Sequence, residues 1–279
     1  MAAIDHRGND FRDLAAALLP TVLAAGAIEM RHYRAGVTVE TKSDSSPVTA
    51  ADREAEAILL PAIAAAAPGI PIIAEEAVSA GRVPEVGPQF FLVDPLDGTR
   101  EFIEQRGEFT VNIALVRDGV PVFGIVYAPA CDELYLTLSP TDAALARVAP
   151  REGPVALADI DLAPIRTRAP DTNALVALAS RSHSNTETEA FLDRYRIAER
   201  TNAGSSLKFC CIARGAADIY PRLGPTMEWD TAAGHAVLLA AGGSVTTIDG
   251  APLGYGNTAR GLRNPHFVAW GTPTPLSPI

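Results

Sequence analysis

The chain has 279 residues and a mass of 29.3 kDa, which allows one large domain or two closely packed halves. Hydrophobic residues make up 48% of it and charged residues 20%, an ordinary globular balance with ample apolar surface for a core. The formal net charge of −10, without a cluster of Lys and Arg, argues against a nucleic-acid polymer as partner but not against a small phosphorylated ligand.

Apolar segments alternate with turn residues along the first part of the chain. Helices are expected over residues 10–33, kinked or restarted at Pro20, and over residues 50–66, with Thr49 as N-cap. Pro95 is expected to end the strand before it, because proline cannot continue a central strand. The expected strands cover residues 37–41, 70–74, 90–93, 111–116 and 120–127, the last two as a hairpin.

The second part of the chain repeats this alternation. Together the two parts predict an α/β fold, a layered architecture with mixed sheets. Residues 140–168 lack clear periodicity, and we place a boundary there between an N-terminal half (1–150) and a C-terminal half (151–279). The expected elements are strands over 174–179, 200–203 and 217–220, and helices over 187–195, from Ser205 or Ser206 to Arg214, and over 231–241.

Cysteine usage and hydropathy bear on the compartment. The three cysteines are odd in number and too few for a disulfide framework, which predicts a reducing, cytoplasmic compartment. Cys210 and Cys211 receive no role beyond packing. The charge-free stretch 14–28 is too short to span a bilayer, so no integral membrane segment is expected. Peripheral association with the inner membrane and a homodimer are both left open.

Two carboxylates at the end of a predicted strand are the most informative feature. Asp94 and Asp97 flank a Pro-Leu pair directly after the apolar run 90–93, where α/β folds build their sites. Gly98 and Thr99 follow, and glycine permits close approach of the backbone to an anion. Carboxylates beside free amides suit a divalent metal together with a phosphate. A plain Asp-Gly hairpin turn or a helix cap at Asp97 is the alternative.

Further acidic residues stand at the ends of predicted elements. Glu75 ends an apolar strand and Asp230 begins a helix, where side chains from distant segments converge. Their alternatives are a solvated loop acid and an N-cap. Asp52 lies in the first turn of a helix, and from spacing alone we favour a simple interaction with the helix dipole.

Several cationic or hydroxyl side chains are candidates for binding an anion. Ser205 and Lys208 open a helix whose free amides attract anions, although a lysine is more often a solvated surface charge. Arg222 falls in a Pro/Gly loop before Asp230, where it is able to take a phosphate bidentately or simply meet water. His183 follows a strand and is otherwise a partly exposed loop histidine.

These motifs resemble those of a known family. Residues 93–99 resemble the Asp-Pro-x-Asp-Gly-Thr signature of the lithium-sensitive, Mg²⁺-dependent phosphatases that include inositol monophosphatase. Residues 229–234 resemble the second signature of that family, and residues 74–76 its acidic strand end. Within the family, residues 204–243 look most like the 3'(2'),5'-bisphosphate nucleotidases of the CysQ type.

The resemblance implies an αβαβα sandwich and a phosphomonoesterase that removes the 3'-phosphate of adenosine 3',5'-bisphosphate by in-line attack of a metal-activated water. It implies two or three Mg²⁺ ions. The resemblance also implies that Asp52 and Thr99 together orient the attacking water. This role replaces the simple interaction with the helix dipole as our expectation for Asp52. The implied metal ligands are Glu75, Asp94, the Leu96 carbonyl, Asp97 and Asp230; the implied substrate contacts are Glu75, Leu96, Asp97, Gly98, Thr99, His183, Ser205, Lys208, Arg222 and Asp230; and the implied catalytic residues are Asp52, Glu75 and Thr99.

Two other functions stay open. An inositol monophosphatase is the alternative enzyme, and inositol-specific relatives look to have a glutamate where this chain has Arg222. A catalytically idle anion-sensing scaffold is the alternative outside the enzymes. The presence of every acidic residue that the metals require argues against the scaffold.

Overall fold

The computed structural model describes residues 8–36, 39–41, 47–179 and 185–278. Within these ranges the helices are α1 (Arg12–Ala35), α2 (Ala50–Ala66), α3 (Glu75–Ser79), α4 (Thr99–Ile103), α5 (Thr186–Leu192), α6 (Leu207–Ala213) and α7 (Ala232–Ala240). The strands are β1 (Val39–Thr41), β2 (Pro47–Thr49), β3 (Ile72–Ala74), β4 (Gln89–Asp97), β5 (Thr110–Arg117), β6 (Val120–Ala128), β7 (Glu133–Ser139), β8 (Asp142–Arg147), β9 (Ala163–Ile165), β10 (Leu175–Ala179), β11 (Ile197–Asn202), β12 (Ile219–Arg222), β13 (Ser244–Thr247) and β14 (Phe267–Trp270).

Two mixed sheets organise the described residues. One has seven strands in the order β3-β4-β5-β6-β7-β8-β9, with β3 parallel to β4 and the other pairs antiparallel. The other has five strands in the order β11-β10-β12-β14-β13. A separate pair joins β1 to β2. The predicted α/β class with mixed sheets is confirmed.

The layers follow from the alternation of side chains along β4. Phe91 and Val93 face the cluster that holds α1 and α2, while Phe90 and Leu92 face the cluster that holds α6 and α7. That second cluster also contains Tyr220 and other residues of the five-stranded sheet, whose opposite face packs against α5. The five layers are therefore helices, sheet, helices, sheet and helix.

Two glycines let helix α7 pack closely, one against strand β6 of the larger sheet and the other against α6 of the same helix layer. A Cβ on Gly124 of β6 would lie 2.3 Å from the backbone oxygen of Ala233 in α7, and one on Gly234 would lie 2.8 Å from the ring of Phe209. Neither position has room for a side chain, so α7 sits directly on β6.

The structure corrects several expectations about the elements. Helix α1 runs through Pro20 as one element. Strand β4 continues past Pro95 to Asp97, and the register against β5 shifts between Asp94 and Asp97, so the expected turn is a bulge. Arg222 ends strand β12 and does not lie in a loop. Thr231, not Asp230, is the N-cap of α7.

Other elements escaped the sequence analysis. The irregular region 140–168 contains β8 and β9, and β7, β13, β14 and α3 were not expected. Because β9 belongs to the seven-stranded sheet and β10 to the other, the change of sheet falls between residues 165 and 175. The division into halves at residue 150 stays a prediction.

Helix α1 is long and apolar enough to cross a membrane by length and composition alone. It has 24 residues and a mean hydropathy of 1.5 in its most apolar window. The expectation based on the charge-free stretch 14–28 therefore underestimated the length of the apolar helix. In the structure 61% of that window is buried inside the protein, as in the core helix of a globular fold. Such a helix is weak evidence for a membrane span.

Candidate active site

Neighbouring strands place the acidic residues of the N-terminal half together. Because β3 pairs with β4 so that Ala74 lies opposite Val93, the next residues, Glu75 and Asp94, emerge side by side. Asp94 is 1% exposed, and its Oδ1 accepts a hydrogen bond from the Leu96 amide at 3.0 Å. The bulge at the end of β4 then turns Asp97 toward the same point.

Asp230 joins this cluster from the turn that precedes α7. Carboxylate oxygens of Asp94, Asp97 and Asp230 lie within 4.8 Å of one another. Burial raises the pKa of Asp94 well above its ordinary value, and the nearby Glu75, Asp97 and Asp230 raise it further. Burial, followed by Asp97 and Glu75, likewise raises the pKa of Asp230. The carboxylates repel one another and require a compensating positive charge.

The donors around these carboxylates leave one oxygen of each without a protein partner among the described residues. Asp94 uses Oδ1, Asp230 accepts the Met227 amide on Oδ2 at 2.8 Å, and every hydrogen bond to Asp97 ends on Oδ2. A set of carboxylate oxygens without protein partners, one from buried Asp94 and two from the half-buried Asp97 and Asp230, is the ligand chemistry of a hard divalent cation such as Mg²⁺. The residues present therefore fit such an ion.

One further carboxylate, that of Asp52, lies beside the hydroxyl of Thr99. Asp52 completes a capping box with Thr49, the predicted N-cap of α2: its Oδ2 accepts hydrogen bonds from the Thr49 amide at 2.8 Å and from the Thr49 hydroxyl at 2.6 Å. Its Oδ1 lies 3.5 Å from the Thr99 hydroxyl, which also lies 3.3 Å from the Leu96 carbonyl. Asp52 is 1% exposed and contacts Thr99, so its surroundings are not limited to the dipole of α2.

Several of these groups line a cavity of about 260 Å³ that is also lined by three cationic side chains, Arg100, Lys208 and Arg222. Glu75, Gly98 and Thr99 line it together with Lys208 and Arg222. Gly98 has φ 92°, and a Cβ there would lie 3.1 Å from the Glu108 carbonyl, so glycine is required at this turn. The cavity therefore offers both a cation-binding and an anion-binding region.

Lys208 is buried and not a solvated surface charge. It is 6% exposed, donates to the Ser205 carbonyl at 3.1 Å and lies 5.5 Å from the centre of the Tyr220 ring. Burial lowers the pKa of Lys208 to about 8; Asp97 opposes this shift and the neighbouring Arg222 adds to it. The charge of Lys208 is thus costly without an anion.

Arg222 is also close to fully buried, and one of its hydrogen-bond donors has no partner among the described residues. It is 9% exposed, and one terminal nitrogen donates to the Pro225 carbonyl at 3.1 Å. Its Nε is buried without a hydrogen-bond partner among the described residues. An unsatisfied donor of this kind, on an always charged group, indicates a missing acceptor.

Comparison with known proteins agrees with this geometry. The inositol monophosphatase family matches residues 10–269. The chain belongs to the inositol monophosphatase family. The 3'(2'),5'-bisphosphate nucleotidase CysQ of Shigella flexneri is 42% identical over 229 residues, which cover 82% of this chain and 87% of that protein.

Solved structures of the family have the same fold. CysQ from Bacteroides thetaiotaomicron superposes with a TM-score of 0.75 at 38% identity, covering 93% of this chain and 97% of the other. An inositol monophosphatase from Zymomonas mobilis has a TM-score of 0.72 at 25% identity, with 94% of each chain covered. Both the nucleotidase and the inositol branches of the inositol monophosphatase family are therefore represented among the relatives.

Two predicted substrate contacts need separate comment. Ser205 lines the cavity, but its hydroxyl contacts Asp97 and lies 2.5 Å from the Thr110 hydroxyl. The Ser205 side chain therefore connects Asp97 to Thr110. Ser205 also has φ 50°, in the left-handed region that costs a non-glycine residue about 1 kcal/mol or more. His183 lies outside the described residues.

Sequence reasoning missed the polar residues behind the acidic cluster. Thr110 and Asn112 lie in β5 opposite Asp97 and Asp94, and both are fully buried. Ser206 was expected to cap α6, yet its hydroxyl donates to the Asp230 carbonyl at 2.7 Å. The available signal was an asparagine inside the apolar run Val111–Val116, where a buried amide demands partners.

Proposed function

We propose that the protein is a metal-dependent phosphomonoesterase that removes the 3'-phosphate of adenosine 3',5'-bisphosphate, giving AMP and phosphate. One observation supports this substrate above the others: Lys208 and Arg222, both buried, share a cavity with the acidic cluster. A second phosphate on the substrate gives these cations the anion they lack. The names of the CysQ relatives support the same substrate class.

The proposed roles of the acidic residues follow from the free oxygens. Glu75, Asp94, the Leu96 carbonyl, Asp97 and Asp230 would hold two or three Mg²⁺ ions. Bound Mg²⁺ neutralises charge on the phosphoryl oxygens and favours ionisation of a water. Asp94 is central in this arrangement, because Glu75, Asp97 and Asp230 all act on its carboxylate.

Thr99 and Asp52 would position the attacking water. The Thr99 hydroxyl donates toward Asp52 or the Leu96 carbonyl, which leaves its lone pairs to accept a hydrogen bond from the water. Gly98 shapes the turn on which the scissile phosphate rests. The water then attacks phosphorus in line with the departing ribose oxygen, and no phosphoenzyme is formed.

Lys208 and Arg222 would bind the phosphate that is not cleaved. Both donate charge-assisted hydrogen bonds, and their burial makes such bonds stronger than at the surface.

We place the protein in the cytoplasm, since its three cysteines are free thiols.

The direct test is phosphate release from adenosine 3',5'-bisphosphate with Mg²⁺ and with EDTA. Turnover that depends on Mg²⁺ and exceeds turnover of inositol 1-phosphate is the expected result. An absence of phosphate release from both substrates would favour the idle scaffold. A preference for inositol 1-phosphate would favour an inositol monophosphatase. This activity is the second candidate because the relative from Zymomonas mobilis is an inositol monophosphatase.

A further inference from the structure

We infer that Asn112 is a positioning residue that aims Asp97 at the metal and couples it to Asp230, an inference that rests on the proposed metal-dependent function. Asn112 lies in the middle of β5 and is fully buried. Its side chain does not reach the cavity lining, so it acts only through other residues.

The first argument is the direction of the hydrogen bonds on Asp97. Three donors meet its Oδ2: the Ser206 amide at 2.9 Å, the Asn112 amide nitrogen at 3.3 Å and the Ser205 hydroxyl. Oδ1 has no protein partner among the described residues. Donors that hold one oxygen of a carboxylate fix the plane of the group and therefore the direction in which the other oxygen points.

The second argument is that the amide of Asn112 is itself oriented. The Thr110 hydroxyl donates to Asn112 Oδ1 at 3.0 Å, and the two residues lie on the same face of β5 because they are two positions apart. The orientation is settled at the other end of the amide, because the Ser206 hydroxyl spends its one hydrogen on the Asp230 carbonyl and can only accept from Asn112. The nitrogen end must face Asp97 and Ser206, where it has two acceptors for its two hydrogens.

The third argument is that the network connects the seven-stranded sheet to the N-terminal ends of α6 and α7. Asn112 donates to the Ser206 hydroxyl at 3.0 Å, and that hydroxyl donates to the Asp230 carbonyl at 2.7 Å. One amide thus touches Asp97 directly and Asp230 through a single residue. The separation between Asp97 at the end of β4 and Asp230 before α7 depends on this chain of hydrogen bonds, since a partly satisfied network is unstable in the interior.

The test measures Mg²⁺ binding by calorimetry in the full-length protein, without substrate. Asn112→Ala should weaken Mg²⁺ binding by about tenfold or more, the usual effect of losing a partner of a metal ligand. The Mg²⁺ concentration for half-maximal turnover should rise in parallel, whereas KM for the bisphosphate at saturating Mg²⁺ should stay unchanged. A purely structural role would instead lower stability without this separation.

Two further variants make the result decisive. Thr110→Val keeps the shape of the side chain, removes the hydroxyl that contacts the Asn112 amide and the Ser205 hydroxyl, and should weaken Mg²⁺ binding in the same direction. It carries the test if Asn112→Ala does not fold. Thr137→Val is the matched control, because Thr137 is a buried threonine of the same sheet whose hydroxyl has no partner in the described part of the chain. It should bind Mg²⁺ like the wild type.

The outcomes separate the two proposals. If the wild type binds Mg²⁺ and both site variants bind it equally well, the positioning role of Asn112 is refuted and the metal-dependent function stands. If the wild type binds no Mg²⁺, the proposed function fails and this inference fails with it.

Discussion

Replacing Arg222 by glutamate tests which phosphate-bearing substrate the cavity accepts. The guanidinium has one nitrogen on the Pro225 carbonyl and a buried Nε without a partner, so it has at least one donor for a ligand. A hydrogen bond between ionised partners contributes about 1.5–3 kcal/mol. At about 1.4 kcal/mol per factor of ten, loss of one such bond raises KM for adenosine 3',5'-bisphosphate about ten- to hundredfold.

Steady-state kinetics on two substrates provide the assay. Activity on inositol 1-phosphate, which lacks a second phosphate, should fall far less than activity on the bisphosphate. Arg222→Met removes the charge without introducing repulsion and should give a smaller increase in KM. Arg260→Glu, at an exposed arginine outside the cavity, controls for the change in net charge. Unchanged bisphosphate kinetics in Arg222→Glu would refute the reasoning and favour the inositol substrate.

Three other predictions concern the same cavity. Asp94→Asn should abolish turnover without lowering Tm in Mg²⁺-free buffer, because it removes a repelled buried charge; substantial activity in the folded variant would contradict the metal assignment. Thr99→Ala should lower kcat by about 10²-fold with little change in Mg²⁺ affinity, and adding Asp52→Asn should cost little more; fully additive losses would argue against a shared role. The pKa of Lys208, lowered to about 8 by burial, means that its positive charge is present below that pH, so kcat/KM for the bisphosphate should fall above pH 8. Lys208→Arg should flatten this fall, and an unchanged profile would assign the loss to another group.

The sequence predicted best those features that depend on neighbouring residues. The α2 cap at Thr49 is local, and the structure has the helix over exactly the predicted range. The pair Asp94 and Asp97 was identified because both follow one apolar run. Asp230 was grouped with these residues because it lies at the end of an element, and the family resemblance, confirmed by the comparisons, strengthened that grouping.

Other features depend on tertiary contacts that no local pattern encodes. Strand β4 passes through Pro95 because the bulge removes the need for a ladder hydrogen bond there. Lys208 was weighed as a surface charge because burial of a lysine is rare, and only the packing of α6 against the Tyr220 ring reveals it. The role inferred for Asn112 depends on its hydrogen bond to Ser206, which is 94 positions away in the chain.

The contact between α7 and β6 at Gly124 has a consequence for motion. Asp230 is two residues before α7, and the backbone of that helix rests on the sheet that carries Asp94 and Asp97. Hinge opening between the two sheets would have to separate a close-packed interface instead of bending a linker. The three carboxylates are therefore already together in the folded protein, and their proposed metal-binding role requires no closure of one sheet onto the other.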